Sequence, residues 1–279
     1  MENMRSLTQR YFILSNLCWL AALGSCQIKS ETVGKKLNPD LQESPRQFVL
    51  PTAKTNEPGR HNPNWMTRLD QEFRDRTPLN EITMQGSHDA TSYGIGSNWT
   101  NCDVGETVPW YFRYARKIVS KLARTQELDI FRQLYLGVRY FDIRLCTKKD
   151  RQIYIHHGGY VSVNLDNVLE GISAFLSAYP DEVLIFHVQR QFFNTVDEHR
   201  ILIDTIKRHG LWKKLASRDE LSPGSTLSDF QDQGKSLVVI HDLPASLDTP
   251  LLWKTDSIKT PWATSVDVDK TIQYLEDKL

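Results

Sequence analysis

The chain contains 279 residues with 34 basic and 34 acidic side chains, so its formal net charge is zero. Neutral charge argues against a non-specific nucleic-acid binder, which needs a basic face. The 40% content of apolar residues argues against a disordered chain, and four cysteines are too few for a disulfide scaffold.

Residues 1–26 have the pattern of an export signal. Arg5 and Arg10 precede an apolar stretch over residues 11–23, and small residues lead to Cys26. A buried N-terminal helix is the alternative interpretation. The end of the segment also resembles the bacterial lipobox, in which the cysteine is lipidated, and simple cleavage is equally open. We therefore predict an exported protein, either secreted or a membrane-anchored lipoprotein.

The sequence after Cys26 divides into a polar segment and a patterned one. Residues 27–62 are polar and carry four prolines, which predicts a linker or loosely packed arm, and residues 63–279 form the predicted domain. Cys102 and Cys146 are the cysteines left in a chain that begins after Cys26. An oxidising compartment would permit a disulfide between them, and two free thiols are the alternative.

Within the domain, short apolar runs alternate with helical patterns. The runs predict strands at residues 81–84, 138–145, 152–155, 182–188 and 236–240. The helical patterns cover residues 64–73, with Asn64 as the cap, and residues 126–136, 165–178, 196–208 and 226–232. This alternation indicates βα units around a parallel sheet.

Every predicted strand ends in polar or ionisable residues. These ends are His88-Asp89, Arg144, His156-His157, Gln189-Arg190 and His241-Asp242. In a (β/α) barrel the carboxyl ends of the strands meet at one face, where catalytic loops lie. The sequence therefore predicts an α/β fold of the TIM-like barrel type with its functional site at that face.

Four of these residues form a chemically coherent set. His88 and His157 can act as base and acid near neutral pH, while Asp89 can fix a tautomer. Arg144 offers a charged fork to a phosphate. The set suits phosphodiester cleavage, and the sequence lacks the G-x-S-x-G, P-loop and G-x-G-x-x-G motifs of other chemistries.

Three motifs together resemble the X domain of phosphatidylinositol-specific phospholipase C, most closely its bacterial single-domain enzymes. They are Gly86-Ser87-His88-Asp89, Gly137-Val138-Arg139-Tyr140-Phe141-Asp142-Ile143-Arg144 and Ile155-His156-His157-Gly158. The resemblance implies that His88 deprotonates the inositol 2-hydroxyl, which attacks phosphorus. It also implies that His157 protonates the diacylglycerol oxygen, giving a cyclic inositol phosphate.

The resemblance assigns the remaining site residues as well. Asp89 would pair with His157, and Arg144 would hold the phosphate. Asp142, Arg190 and His241 are the candidate substrate-binding residues. Since neighbouring side chains on a strand point to opposite faces, His156 is expected to be structural.

No metal or other cofactor is expected. Asp89 and Arg144 stand where the calcium-dependent relatives carry an asparagine and a metal-ligand acid, and a guanidinium cannot ligate a cation. A zinc hydrolase is the weakest alternative, because the sequence has no H-E-x-x-H motif. The implied partners are a phospholipid membrane surface and a phosphatidylinositol-type lipid, with no nucleic acid, and the protein is expected to be a monomer.

The C-terminal part is expected to be incomplete for this family. Residues 261–266 could form a sixth strand and residues 268–279 a helix, so we expect a barrel truncated at its C-terminus. The family's late aspartate, which orients the general base, has no counterpart in the sequence. Either the chain is a fragment of a longer reading frame or the architecture is reduced, and impaired catalysis is expected if this chain is all there is. Two alternatives stay open: cleavage of another phosphodiester such as a glycosylphosphatidylinositol anchor, and an inactive lipid-binding relative.

Overall fold

The computed structural model describes residues 61–103, 114–193, 195–247, 249–258 and 267–277. The predicted signal segment, almost all of the predicted arm and the candidate strand at 261–266 lie outside these residues. The chain divides into two units, one of which spans residues 47–258. The other unit contains the last described helix.

One sheet of six strands organises the described part of the unit 47–258. The strands are β1 (Gly86–Ser87), β2 (Tyr140–Thr147), β3 (Ile153–His157), β4 (Tyr160–Asn164), β5 (Leu184–Phe192) and β6 (Leu237–Ile240). Strands β1, β2, β5 and β6 are parallel neighbours in that order. Parallel neighbours in chain order, joined through helices, build a (β/α) barrel. Within the described residues the sheet stays open, and the predicted class, an incomplete barrel, is confirmed.

The third strand runs antiparallel to β2, whereas the sequence predicted a parallel sheet. Strand β3 pairs antiparallel with the second half of β2 and with β4, which the sequence analysis missed. Gly158 and Gly159 turn the chain between β3 and β4, and both have positive φ, which favours glycine. Strands β1 and β3 therefore lie along the same edge of β2. Strand β1 pairs with the first residues of β2, and β3 pairs with its last residues.

Two further predictions were wrong near the start of the domain. The first strand comprises only residues 86–87, because residues 79–81 form a 3₁₀ turn instead of strand. The helix predicted over residues 64–73 is absent, and helix α1 runs from Gln71 to Arg76 with Asp70 as its cap. The backbone amides of Met66 and Thr67 donate to the carboxylate of Glu182, so they are not available for hydrogen bonds within a helix.

The other predicted helices form close to their expected positions. Helix α4 (Leu165–Ala178) and helix α5 (Val196–Arg208) have the predicted bounds, α6 spans Leu227–Asp232 and α3 spans Ile130–Tyr135. The side chains of Asn164 and Thr195 begin α4 and α5 as N-caps. An additional helix, α2 (Arg116–Ala123), lies between β1 and α3. In the second unit, helix α7 (Val268–Glu276) occupies most of the predicted 268–279.

Side chains alternate between two buried faces of the sheet. Phe141, Ile143 and Leu145 of β2 pack into a cluster with helices α3 and α4. Ile185 and Ile240 point the other way, into a second cluster. Parallel sheets are commonly buried on both faces, and here the second face also carries polar residues farther along the strands.

A fully buried ion pair joins the beginnings of β2 and β5. The guanidinium of Arg139 donates to Oε2 of Glu182 from Nε at 3.0 Å and from Nη2 at 2.7 Å, and both side chains are 0% exposed. The remaining guanidinium donors reach backbone carbonyls, including that of Pro63 at 2.6 Å. The pair thereby anchors the segment around residues 63–67 beneath the sheet.

Cys102 and Cys146 form a disulfide, with 6.0 Å between their Cα atoms. The bond ties the loop that follows β1 to the end of β2. Of the two states left open by the sequence, the structure contains the disulfide. Among the described helices, none is both long enough and apolar enough to cross a membrane.

Removing one partner of the Arg139–Glu182 pair should strongly destabilise the protein. We expect Glu182→Gln to lower the free energy of unfolding by about 3 to 5 kcal/mol, because it leaves a buried guanidinium without its counter-charge. Urea denaturation measures this quantity. Glu220→Gln, which breaks the exposed pair with Lys235 at 3.5 Å, is the matched control and should cost less than about 1 kcal/mol. Equal losses in the two variants would contradict the anchoring role.

Candidate active site

The turn after β1 places two ionisable side chains at the carboxyl end of the sheet. His88 and Asp89 follow Ser87 directly, and Asp89 has φ of +46°, a left-handed conformation that aspartate tolerates better than most residues. The amide of Ala90 donates to the carbonyl of Asp142 at 3.1 Å, which fixes the turn against β2. The carboxylate of Asp89 is thereby buried beside the strand.

Strand β2 contributes two more site residues through its alternation. Asp142 and Arg144 lie two residues apart, so their side chains share a face, opposite to Phe141 and Ile143. Arg144 Nε lies 3.0 Å from Oδ1 of Asp89. The predicted arginine and aspartate are therefore brought together from neighbouring strands.

The second histidine arrives from β3. Nδ1 of His157 donates to the carbonyl of Ala123, the last residue of α2, at 2.7 Å. A carbonyl only accepts, so this contact fixes the proton on Nδ1. Nε2 of the same ring faces Oδ2 of Asp89 at 3.2 Å. The ring is thus held between a backbone carbonyl and the carboxylate of Asp89.

Asp89 is the centre of the cluster. Its Oδ2 atom lies 3.1 Å from Nε2 of His88 and 3.2 Å from Nε2 of His157, while Arg144 contacts Oδ1. The angles of these ion pairs fall short of aligned hydrogen bonds. Burial raises the pKa of Asp89, but the contact with His88 and the charges of His157 and Arg144 lower it overall. The carboxylate therefore remains ionised between the two imidazoles.

A second carboxylate orients His88. Asp142 Oδ2 is hydrogen-bonded to Nδ1 of His88. Burial lowers the pKa of His88, but the contacts with Asp142 and Asp89 outweigh burial and raise it to about 9. The family's late aspartate has no counterpart in the sequence, and in this structure Asp142 of β2 contacts Nδ1 of His88. Asp142, a predicted substrate-binding residue, therefore lies where it can orient the His88 ring.

Arg190 is placed beside Arg144 by an irregularity in β5. The register of β2 and β5 pairs Ile143 with Val188 and then Arg144 with Arg190, so Gln189 is the extra residue of a bulge. A bulge re-aims the side chains that follow it. Arg144 and Arg190 therefore occupy paired positions on adjacent strands, at the same end of the sheet.

His187 and Tyr140 are polar residues of this face that the sequence analysis did not select. His187 is the register partner of Asp142, and the hydroxyl of Tyr140 lies 2.5 Å from Nδ1 of His187. Burial raises the pKa of Tyr140 to about 12. The alternation of β2, in which Tyr140 is two residues before Asp142, was the signal that could have found it.

His241 does not join the Asp89 cluster. It is buried, and its Nε2 atom lies 2.9 Å from Nδ1 of His199 in helix α5. Burial and the neighbouring His199 lower the pKa of His241 to about 4, so the ring is neutral at physiological pH. Its surroundings are those of a packed histidine pair, whereas a residue that binds substrate needs an open face.

His156 lies on the opposite side of β3 from His157. It is buried and stacks on Phe192 with ring centroids 4.7 Å apart. Burial and the charge of Arg144 lower the pKa of His156 to about 3. The ring is therefore a neutral packing group in this arrangement.

Potential metal-ligand atoms of His88, Asp89 and Asp142 lie within 4.8 Å of one another, the one such group of three found in the described residues. Calcium takes six to eight oxygen ligands, and the carboxylates here already contact imidazoles and Arg144. The group therefore offers calcium too few free oxygen ligands.

The architecture and the cluster together define a (β/α)-barrel domain with a two-histidine, phosphate-compatible site. A model of the phosphatidylinositol-specific phospholipase C X domain matches residues 117–230. PI-PLC X domain-containing protein 2 of mouse is 29% identical over 78% of this chain and 65% of its own length. Human PI-PLC X domain-containing protein 3 is 27% identical over 76% and 68%. The chain is thus similar to the phosphatidylinositol-specific phospholipase C X domain, most directly over residues 117–230.

Two solved bacterial structures are also similar. A phosphatidylinositol-specific phospholipase C from Staphylococcus aureus shares 24% identity, covering 74% of this chain and 60% of its own, with a TM-score of 0.48. The enzyme from Listeria monocytogenes shares 26% identity, covering 65% and 57%, with a TM-score of 0.45. Because both scores lie below 0.5, the fold assignment depends on the strand order described above. The chain spans about two thirds or less of the length of these relatives.

The contact with Asp142 should govern the titration of His88. We expect the imidazole carbon-bound protons of His88 to titrate near pH 9 in NMR spectra, because two carboxylates stabilise the imidazolium. Asp142→Asn should move the midpoint down toward the ordinary histidine value. Asp242→Asn, which removes a carboxylate bonded to Thr255 and not to His88, is the control. An unchanged midpoint in Asp142→Asn would show that Asp142 does not orient the ring.

Proposed function

We propose that the protein is a phospholipase C that cleaves phosphatidylinositol-type phosphodiesters without a metal ion. The products would be diacylglycerol and a cyclic inositol phosphate. The match to the X-domain family supports the substrate class. The residues of the cluster support the chemistry.

One observation carries the proposal: the Nε2 atoms of His88 and His157 flank the same carboxylate oxygen of Asp89 at 3.1 and 3.2 Å. Arg144 contacts the other oxygen of that group. Two imidazoles and a guanidinium around one anion are the groups that a phosphodiester needs for in-line displacement. In the free protein, Asp89 occupies the position of the anion.

His88 is the proposed general base. It takes the proton of the inositol 2-hydroxyl while that oxygen forms a new bond to phosphorus. Asp142 is the positioning residue, because its carboxylate holds Nδ1 and leaves Nε2 to meet the hydroxyl. The hydroxyl must first replace Asp89 beside Nε2.

His157 is the proposed general acid. Its Nε2 proton passes to the diacylglycerol oxygen as the bond from that oxygen to phosphorus breaks. The Ala123 carbonyl fixes the proton on Nδ1, so Nε2 is the atom that donates. Arg144 neutralises charge on the phosphoryl oxygens in the transition state.

The proposed location is an exported one. The N-terminal pattern over residues 1–26 supports it, as does the Cys102–Cys146 disulfide, because such bonds persist in oxidising compartments. The proposed partner is a lipid surface, since diacylglycerol stays in the membrane when the inositol product leaves.

Phosphorus NMR of phosphatidylinositol vesicles tests the proposed reaction. We expect the mature chain to produce a cyclic phosphate signal with and without a chelator. His88→Ala and His157→Ala should each reduce the initial rate by at least about 100-fold, which is typical of a lost acid or base. His61→Ala, at an exposed histidine outside the cluster, should retain the wild-type rate.

Three outcomes would contradict the proposal in different ways. Release of inositol phosphate with no cyclic phosphate indicates hydrolysis by water in place of attack by the 2-hydroxyl. Loss of the signal in chelator indicates a metal-dependent reaction. No product from a protein that still binds the vesicles indicates an inactive lipid-binding relative.

The pH dependence of the rate follows from the pKa of His88. With a pKa of about 9 in the free protein, only about 1% of the rings are neutral at pH 7 and able to accept a proton. We therefore expect kcat/KM to rise with pH up to about 9. Asp142→Asn should shift this rise to lower pH and lower its plateau, because the ring loses both its charge partner and its orientation.

The measurement is kcat/KM on a monomeric soluble inositol phosphodiester, which avoids changes in vesicle surface charge. His241→Asn serves as the control because its ring lies in a separate histidine pair. A pH profile that is the same in wild type and Asp142→Asn would exclude His88 as the base.

A further inference from the structure

His156 is a buried histidine that the proposed mechanism does not use. It is 2% exposed, and its ring stacks on Phe192 of β5. Neither Nδ1 nor Nε2 has a hydrogen-bond partner among the residues that the structure describes. Burying a polar group without a hydrogen bond costs free energy, so such groups usually have a partner. The ring nitrogens of His156 are therefore suited to a bound group that supplies this partner.

The pairing of the strands places His156 in a row with two arginines. The antiparallel register of β2 and β3 pairs Leu145 with Ile155, and its continuation by one residue sets Arg144 opposite His156. The parallel register of β2 and β5 pairs Arg144 with Arg190. Paired residues extend from the same face of a sheet, and adjacent strands lie about 4.8 Å apart. The imidazole and the two guanidiniums therefore belong to three neighbouring positions on one face.

The charges around His156 agree with this placement. Burial lowers the pKa of His156 to about 3, and the positive charges of Arg144, His157 and Arg190 act in the same direction. The negative charge of Asp89 acts against them. The ring is thus neutral at physiological pH, and a neutral imidazole has one N–H donor and one acceptor nitrogen. His156 therefore offers a single donor beside two groups that carry a permanent positive charge.

A phosphate is the anion that fits these three side chains. A guanidinium donates in a planar fork, and the geometry of this fork matches the oxygens of a phosphate. Like charges at paired positions of a sheet repel each other, and an anion beside Arg144 and Arg190 would offset that repulsion. Arg144 is the residue proposed to hold the phosphate of the substrate. A phosphate at Arg144 would consequently lie about one strand spacing from the imidazole of His156.

We propose that His156 is a further phosphate-binding residue, whose ring N–H donates to a phosphoryl oxygen held by Arg144 and Arg190. The proposal rests on the proposed function for the source of the phosphate, which is the scissile group of the substrate. It gives His156 a role beyond the packing one, because the stack on Phe192 holds the ring while the phosphate supplies the missing hydrogen-bond partner. Inorganic phosphate presents the same kind of oxygen atoms without the inositol, so it should bind to the same row.

Thermal unfolding of the full chain in inorganic phosphate tests this binding without any cleavage. A ligand that binds only the folded protein raises Tm, so we expect Tm to rise with phosphate at constant ionic strength. His156→Phe keeps an aromatic ring on Phe192 and removes both ring nitrogens. It should weaken phosphate binding by about 10- to 100-fold, the usual effect of losing a hydrogen bond to a charged group. Without phosphate, Tm of this variant should be unchanged or higher, because no polar atom of the ring stays buried without a partner.

Three further variants complete the design. The amide of His156→Gln can place an N–H near the position of Nε2, and that of His156→Asn can place one near Nδ1. One of these two variants should recover part of the phosphate affinity and thereby identify the donor atom. His199→Phe is the matched control, because it replaces another buried histidine, which pairs with His241 outside the row. This control should keep the phosphate affinity of wild type.

Kinetics on a monomeric soluble inositol phosphodiester relates the site to the substrate. A residue that binds the phosphate equally in the ground state and the transition state affects KM and leaves kcat near its original value. We expect His156→Phe to raise KM in this way. Inorganic phosphate should inhibit wild type in competition with the substrate, and it should inhibit His156→Phe more weakly.

A lower Tm of His156→Phe with an unchanged response to phosphate would overturn the proposal, because the ring would then serve packing alone. An equal loss of phosphate affinity in His199→Phe would also overturn it, since the effect would be a general one. Loss of phosphate affinity with KM unchanged would show that the bound phosphate is not that of the substrate, which contradicts the assignment. If wild type cleaves no phosphodiester but its response to phosphate depends on His156, the enzymatic proposal fails and the phosphate site stands.

Discussion

The buried Arg139–Glu182 pair is the contact on which the arrangement of the sheet depends. It joins the residue before β2 to the residues before β5, and it binds the chain near Pro63 and Thr67 to the same point. Strands β2 and β5 keep one register from the pair Tyr140–Ile185 to the pair Ile143–Val188, and the bulge at Gln189 then shifts it. The pair therefore determines, from the far end of the strands, where the site residues of β2 and β5 lie. All five N–H donors of the guanidinium are used: two donate to Glu182 and three donate to backbone carbonyls.

Period-two alternation then divides each strand between packing and chemistry. On β2, the residues facing the helices are aromatic or aliphatic, while Tyr140, Asp142 and Arg144 face inward. The same division places His187 beside Asp142. An apolar face toward the helices supplies burial, and the inner face is free to carry ionisable groups. Arg144 has the carboxylate of Asp89 beside it, whereas burial raises the pKa of Tyr140 to about 12 and keeps its hydroxyl neutral.

The sequence predicted the features that depend on neighbours along the chain. Helices α4 and α5 carry their own caps at Asn164 and Thr195, so their bounds followed from local signals. The hairpin of β3 and β4 was missed although its Gly158-Gly159 turn is a recognisable signal. The partners of Asp142 and His241 could not be read locally, since His88 is 54 residues from Asp142 and His199 is 42 from His241. Such pairings are products of the tertiary structure.

The protonation of His88 decides how the cluster could act on a phosphodiester. His88 is protonated at neutral pH, because the contacts with Asp142 and Asp89 raise its pKa to about 9. A phosphodiester bound between the two rings would displace Asp89, whose Oδ2 atom faces Nε2 of both histidines. His88 would then lose one of the two carboxylates that raise its pKa, which would ease release of its proton before it acts as the base.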